Sequence, residues 1–207
     1  LGEALQSVVS QTLVPSEIWV IDNCSCDRTR KIALSFSQVR CQSVDFADVA
    51  RARSLGVAFS TGEFIAFLDQ DDIWALDKLE KQVTFLRTNP NFGAVIGWQQ
   101  MFLEPGITKP IWLKQEHLDA PQLAYLPSAL LARRSAFQQT GNFDLRFSLA
   151  SDVVWFLKAQ HAGVGVGIVD SVVVHRRIHD SNMSHGFASL HREILAALKN
   201  SLVERRR

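Results

Sequence analysis

The sequence is poor in cysteine, in net charge and in long apolar runs, and each shortage excludes something. Three cysteines, Cys24, Cys26 and Cys41, are an odd number at irregular spacing, which does not read as a disulfide framework. Cys24 and Cys26 form C-x-C with no second pair, so a structural zinc site is not expected. Free thiols suit a reducing compartment, and a cytoplasmic protein is the expectation. Lys plus Arg number 22 against 21 Asp plus Glu, a net charge of +1. No overall field marks a nucleic-acid partner. No apolar run approaches the ~20 residues of a membrane span, and no signal peptide is read. Internal repeats and low-complexity segments are absent.

What remains is an ordinary globular composition, 47% apolar and 21% charged over 207 residues. That length fits one large domain, or one domain with a tail, and can bury a real core. Apolar residues recur at helical spacing from Leu1 through Ala4, Leu5, Val8 and Val9. "EIWVID" (17–22) then reads as a buried strand ending in Asp22. "NCSCDRT" is a turn, and Asp27 is suited to cap a helix over about 28–36. "VRCQSV" (39–44) is a short strand, and 47–62 a helix stopped at Gly62. "EFIAFLD" (63–69) is the clearest strand. A helix over 75–90 shows Leu76, Leu79, Val83 and Leu86 on one face and halts at Pro90. "FGAVIGW" (92–98) is the next strand.

Strand alternating with helix implies βα units and a mostly parallel sheet. In such sheets ligands bind beyond the carboxyl ends of the strands. After about Gln99 the rhythm fades. Residues 103–110 read as loop, 125–141 as a short apolar run and a helix ended by Gly141, 150–163 as a helix bearing Asp152, and 164–179 as strand. The tail from about Phe187 is amphipathic, with Leu190, Ile194, Leu198 and Leu202 in register, and it ends in three arginines.

The chemistry concentrates at Asp69, Asp71 and Asp72, directly after the apolar run 64–68. Three carboxylates so close repel one another. A divalent cation removes that repulsion and prefers hard oxygen ligands, and Mg²⁺ or Mn²⁺ also binds phosphate oxygens. The plain alternative is solvation, with Asp72 capping a helix from Ala75. An aspartate-based phosphatase also carries D-x-D after a strand, but Ile73 and a further acid stand where its small residue belongs.

Several motifs in order resemble one family. "LGEALQSVVSQTLVPSEIWVID", "ARSLGVAFSTGEFIAFLDQDDIWALDKLEKQ", "LPSALLARRSAFQQTGNFD", "SDVVWFLKAQHAG" and "RRIHDSNMSH" are similar to the family-2 glycosyltransferases of the GT-A fold. The resemblance implies a Rossmann-like α/β sheet flanked by helices, with a C-terminal helical tail. It implies residues 1–99 as a nucleotide-sugar-binding half, 100–185 as the acceptor-binding and catalytic half of the same domain, and 186–207 as a C-terminal helix. The implied activity is metal-assisted, inverting transfer of a sugar from a nucleotide-diphosphate donor to a saccharide or lipid-linked acceptor, in polysaccharide or glycolipid synthesis.

By similarity, Asp69 and Asp71 form the D-x-D motif that holds Mn²⁺ or Mg²⁺ on the diphosphate, with His179 as a further metal ligand. Asp152 maps onto the general base. Asp22, Asn23, Arg53, Asp69 and Arg177 map onto donor-nucleotide contacts. A base buried among Val153, Val154, Trp155 and Phe156 is expected to have a raised pKa. The chain departs from the family in lacking its opening strand, which leaves a hole in the expected sheet and implies truncation at the start. Asn23 and Cys24 replace the usual acid and Gly of a turn, and Cys24 there means either a φ below zero or strain. Ser151 replaces the acid that precedes the base, and Ser54 the Asn after Arg53. A nucleotidyltransferase of related fold and a non-catalytic nucleotide-sugar binder are the alternatives. The basic tail admits peripheral contact at the inner membrane face, a weaker reading than packing on its own domain.

Overall fold

The computed structural model describes residues 1–180, 182, 192–197 and 199. Leu190, Leu198, Leu202 and the terminal arginines lie outside the described residues, as does Ser184.

The elements follow the alternation read from the sequence. They run α1 (Gly2–Val9), β1 (Ile18–Asn23), α2 (Thr29–Leu34), β2 (Val39–Val44), α3 (Val49–Phe59), β3 (Phe64–Ala66), β4 (Ile73–Trp74), α4 (Lys78–Thr88) and β5 (Phe92–Leu103). Then come α5 (Glu116–Asp119), β6 (Gln122–Leu123), a 3₁₀ turn (Pro127–Ala129), β7 (Leu131–Arg133), α6 (Arg134–Thr140), α7 (Ser151–His161) and β8 (Gly165–Ile178). Residues 192–197 are helical.

Strands β1 and β2 pair in parallel as a sheet of their own. The other six form a second sheet in the order β3-β7-β5-β8-β4, with β6 on β5. The parallel expectation holds for the two long ladders, β1–β2 and β5–β8. The short ladders β3–β7, β4–β8, β5–β6 and β5–β7 are antiparallel. Among the described residues no ladder joins β1–β2 to the larger sheet.

The core is built by alternation along β5. Ala94 and Ile96 pack on one face with Ala50 and Val57 of α3, Ala136 and Phe137 of α6, and Trp155 and Ala159 of α7. Val95 packs on the other face with Val8 of α1 and Leu79, Val83 and Leu86 of α4. Successive strand residues point to opposite faces, so one strand serves both layers. Leu5, Ala33 and Val39 form a smaller cluster beneath β1 and β2. Glycine is required where elements press together. A Cβ at Gly167 would collide with the ring of Phe85 on α4.

Several boundaries differ from the sequence reading. The strand expected over 63–69 is only Phe64–Ala66, because the chain turns at Asp69 and Asp72 N–H donates to Asp69 C=O at 3.1 Å. Helix α4 starts at Lys78 rather than Ala75, since Ala75 N–H is taken by Val173 C=O at 3.0 Å. Asp72 therefore caps nothing, and Leu76, expected on the apolar face, is 61% exposed. Helix α3 ends at Phe59, before Gly62, and its N-cap is Asp48, which accepts from Arg51 N–H at 2.8 Å. Asp27 accepts from Thr29 N–H at 2.8 Å, one residue away from the expected cap geometry. Strand β5 runs on to Leu103 because β8 supports it there. Gly141 does stop α6, with φ +78°, a conformation glycine adopts without strain.

Candidate active site

The three clustered acids are each accommodated differently. Asp69 Oδ1 accepts from Arg53 Nη2 at 2.7 Å. Asp71 Oδ2 lies 2.9 Å from His179 Nε2 and accepts from Asn182 Nδ2 at 3.2 Å. Asp72 is buried, and desolvation, then the charges of Asp69 and Asp71, push its carboxyl up to about 7. Ion pairing thus balances Asp69, a histidine–amide cradle holds Asp71, and burial beside two carboxylates disfavours the charge on Asp72.

Strand β8 delivers the second wall. Arg177 Nε donates to Asp71 C=O at 3.1 Å, and Arg177 N–H donates to Asp72 Oδ1 at 3.3 Å. Its guanidinium also pairs with Glu3 of α1 and lies over Phe102 at 4.9 Å from the ring centroid. Asn182 closes the loop: its Oδ1 accepts from His179 N–H at 2.7 Å and its Nδ2 donates to Arg177 C=O at 3.2 Å. His179 is thereby held by its backbone as well as its ring.

Beneath the acids lies a buried clamp. Asp69 N–H donates to Ser128 Oγ at 3.1 Å. Trp74 Nε1 donates to Ser128 C=O at 2.8 Å, Gln82 Nε2 to Ala129 C=O at 2.8 Å, and Lys78 Nζ to Leu130 C=O at 3.4 Å. Three consecutive carbonyls of the 3₁₀ turn and its exit are held by three side chains from β4 and α4. Lys78 Nζ also donates to Gln82 Oε1 at 2.6 Å and sits 4.5 Å from the Trp74 ring centroid. Burial alone pushes Lys78 down to about 7.

Asp152 stands in the first turn of α7, whose Trp155 packs against Phe137 and Phe143. Desolvation raises its pKa, and the nearby Arg53 charge works against that rise. Arg53 itself is held charged: burial opposes the charge, but Asp69, Asp152 and Asp72 outweigh it. One guanidinium therefore serves both the acidic turn and the acid on α7. Ser151 Oγ and Trp155 Nε1, one helical turn apart on α7, are buried without a hydrogen-bond partner.

The other two expected contacts lie at the end of β1. Asp22 Oδ1 accepts from Ser25 N–H at 3.1 Å and Oδ2 from Ser43 hydroxyl at 3.1 Å. Burial opposes its charge, but these bonds hold its carboxyl below the usual range. Asn23 Oδ1 accepts from Asp48 N–H at 3.0 Å, at the N-cap of α3. Arg53 lies five residues on, so α3 carries the chain from the Asn23 turn to the acids over roughly 7 Å of helix rise. Cys24 takes φ +62°, so the strained alternative is the one adopted.

The structure thus brings Arg53, Asp69, Asp71, Asp152, Arg177 and His179 into one connected set, and α3 links Asp22 and Asn23 to it. Ser128, Lys78, Gln82 and Trp74 had no functional signal beyond polar atoms amid apolar neighbours. Asn182 lies within the segment RRIHDSNMSH, but its bridge from the His179 backbone to Asp71 carries no signal in the sequence. Among the described residues no three His, Cys, Asp or Glu side chains form a ready metal cage. None of the described helices is long and apolar enough to cross a membrane.

Comparison with known proteins bears on this geometry. The profile of glycosyl transferase family 2 matches residues 1–151. The Escherichia coli UDP-Glc:alpha-D-GlcNAc-diphosphoundecaprenol beta-1,3-glucosyltransferase WfgD is 38% identical over 92 residues. That match takes in 43% of this chain and 36% of WfgD, so it spans about a third of the relative's length. Two solved structures share the fold. The mannosyltransferase PcManGT of Pyrobaculum calidifontis, in complex with GDP-Man and Mn²⁺, superposes with a TM-score of 0.70 at 18% identity, over 97% of this chain and 59% of that one. Staphylococcus aureus TarS 1–349, in complex with UDP-GlcNAc, superposes with a TM-score of 0.69 at 18% identity, over 89% of this chain and 56% of that one. The mixed sheet with flanking helices is the GT-A glycosyltransferase fold, and the chain belongs to glycosyl transferase family 2.

Proposed function

We propose that this chain carries the donor site and the base of an inverting glycosyltransferase. The donor is a nucleotide-diphosphate sugar, and the acceptor is a saccharide or lipid-linked hydroxyl in polysaccharide or glycolipid synthesis. The observation that carries this is Arg53, which pairs with Asp69 while its charge also reaches Asp152. A cation and a half-buried acid are thereby set side by side, as displacement of a diphosphate by a hydroxyl requires.

In the proposed step Asp152 takes the proton of the acceptor hydroxyl. The acceptor oxygen bonds to the anomeric carbon from the side opposite the leaving group. The bond from that carbon to the diphosphate oxygen breaks, and the nucleoside diphosphate leaves with the electron pair. Arg53 and Arg177 face its negative charge. Asp22 and Asn23 contact the nucleoside from the β1 turn. The carboxylates of Asp71 and Asp69 are hard oxygen donors that would suit Mn²⁺ or Mg²⁺, and the His179 imidazole beside Asp71 favours Mn²⁺ of the two. Such an ion keeps several waters and phosphate oxygens, so it needs no three-residue cage. When bound, it stabilises the developing diphosphate charge.

WfgD is named for UDP-Glc and TarS was solved with UDP-GlcNAc, so UDP is the first nucleotide to try. Calorimetric titration with UDP, GDP and dTDP, with and without Mn²⁺, is the direct test. Binding of one nucleotide that needs Mn²⁺ supports the reading. Asp152→Asn is expected to lower transfer by roughly 10²–10⁴-fold while donor binding survives. Unchanged transfer in that variant removes Asp152 as the base.

A further inference from the structure

Helix α7 begins without a cap of its own. Its N-cap is Ala150, which has no side-chain acceptor for the open amides at the helix entry. The amides of Ala150 at the N-cap and of Leu149 just before it are nevertheless held from elsewhere in the chain. Glu193 Oε2 accepts from Leu149 N–H and from Ala150 N–H, both at 2.9 Å. Its Oε1 accepts from the Ser148 hydroxyl at 3.1 Å. One carboxylate, 43 to 45 residues further along the chain, takes three donors at the mouth of the helix. A negative group there also suits the positive end of the helix dipole.

The contact has an apolar half on the same face. Ala197, four residues after Glu193 and so one helical turn away, is buried with Phe147 and Val154. Phe147 and Val154 flank the Ser148–Ala150 segment. The C-terminal segment is therefore seated on the entry to α7 by a polar and an apolar contact together.

We infer that Glu193 is a positioning residue for Asp152, acting from the C-terminal segment. Asp152 lies two residues beyond Ala150, and its own Oδ1 accepts from Val153 N–H at 2.8 Å. Its carboxylate is thus tied to the backbone of the first turn, and that turn is tied to Glu193. Without Glu193, two amides lose their acceptor and the turn frays. A displacement of about 1 Å at a reacting group can lower a rate roughly 10²-fold. The inference rests on the proposed role of Asp152.

The test compares wild type, Glu193→Ala and Glu193→Gln by amide exchange across residues 148–156 and by steady-state transfer. Glu193→Ala is expected to speed exchange at Leu149 and Ala150 by about 10-fold or more while β5 and β8 keep their protection. It is expected to lower kcat by about 30- to 100-fold, with donor KM within about threefold. Glu193→Gln retains an acceptor oxygen and should recover most of both effects. Unchanged exchange in Glu193→Ala overturns the latch. Faster exchange with kcat per folded molecule unchanged makes Glu193 structural only and overturns its positioning role. If wild type transfers no sugar, the proposed function falls and the exchange data still judge the latch. If Glu193→Ala does not fold, Glu193→Asp, one methylene shorter, is read by the same two measurements.

Discussion

Lys78 offers the sharpest physical test. Its ammonium is fully buried on α4 with no carboxylate partner among the described residues, and its contacts there include Gln82 Oε1, Leu130 C=O and the Trp74 ring. Burial brings its pKa from 10.5 to about 7. The unfolded chain then binds more protons than the folded one between those two values. Stability must therefore rise with pH across that window, and the full penalty is present below pH 7. Each pH unit within it is worth about 1.4 kcal/mol, so raising the pH from 7.5 to 9.5 should add about 2–3 kcal/mol. Urea unfolding followed by tryptophan fluorescence at both pH values measures this. Lys78→Met is the control, since it keeps the length and removes the titrating group. The variant leaves Gln82 Oε1 without that donor, at a cost of about 1–3 kcal/mol that does not vary with pH. The expected result is that wild-type stability rises relative to Lys78→Met by about 2–3 kcal/mol between the two pH values. Parallel pH dependences would mean that Lys78 is solvated or paired, and would refute the buried-amine account.

Arg53→Met removes the cation that holds Asp152 down. The acidic limb of the pH–rate profile should move to higher pH, and an unmoved limb would separate Arg53 from the base. Cys24→Gly relieves the φ of +62° at an exposed turn and should stabilise the chain by about 0.5–1 kcal/mol in urea. A loss of stability there would mean that the thiol makes a contact worth more than the strain. Trp74→Phe deletes the donor to Ser128 C=O and should cost about 1–3 kcal/mol. Nucleotide affinity should weaken with it, because Ser128 holds Asp69 N–H; unaltered affinity would detach the clamp from the site.

Much of this was legible in the residues because the signals were local and strong. The helix around Asp152 and the strand 164–179 were read nearly to their ends, since their apolar patterns are long. The acidic turn was legible as chemistry but not as structure. The run 63–69 looked like a full strand, yet its second half is turn, because a hydrogen bond within the turn and a serine sixty residues away outweigh strand propensity. The antiparallel short ladders carried no sign, since strands of two or three residues have no period to read. Arg53 and His179 are placed by motif, but the contacts of Asn182 with Asp71, of Ser128 with Asp69 and of Glu193 with the entry to α7 are not. Each of these acts across the fold, and a single sequence gives no measure of such distances.

The position of β8 has a consequence for the order of assembly. Asp71 meets His179 and Asn182 across 108 and 111 residues of chain. Contacts of such range require a large loop to close and form late. A ribosome adds about 5–20 residues per second, so the acids emerge on the order of 10 s before their imidazole and amide partners. During that interval Asp69 already has Arg53, but Asp71 waits for its imidazole and amide, and β5 has an edge that lacks its longest neighbour. A product ending before β8 keeps every acid of the D-x-D turn, yet leaves Asp71 without the side chains that hold it.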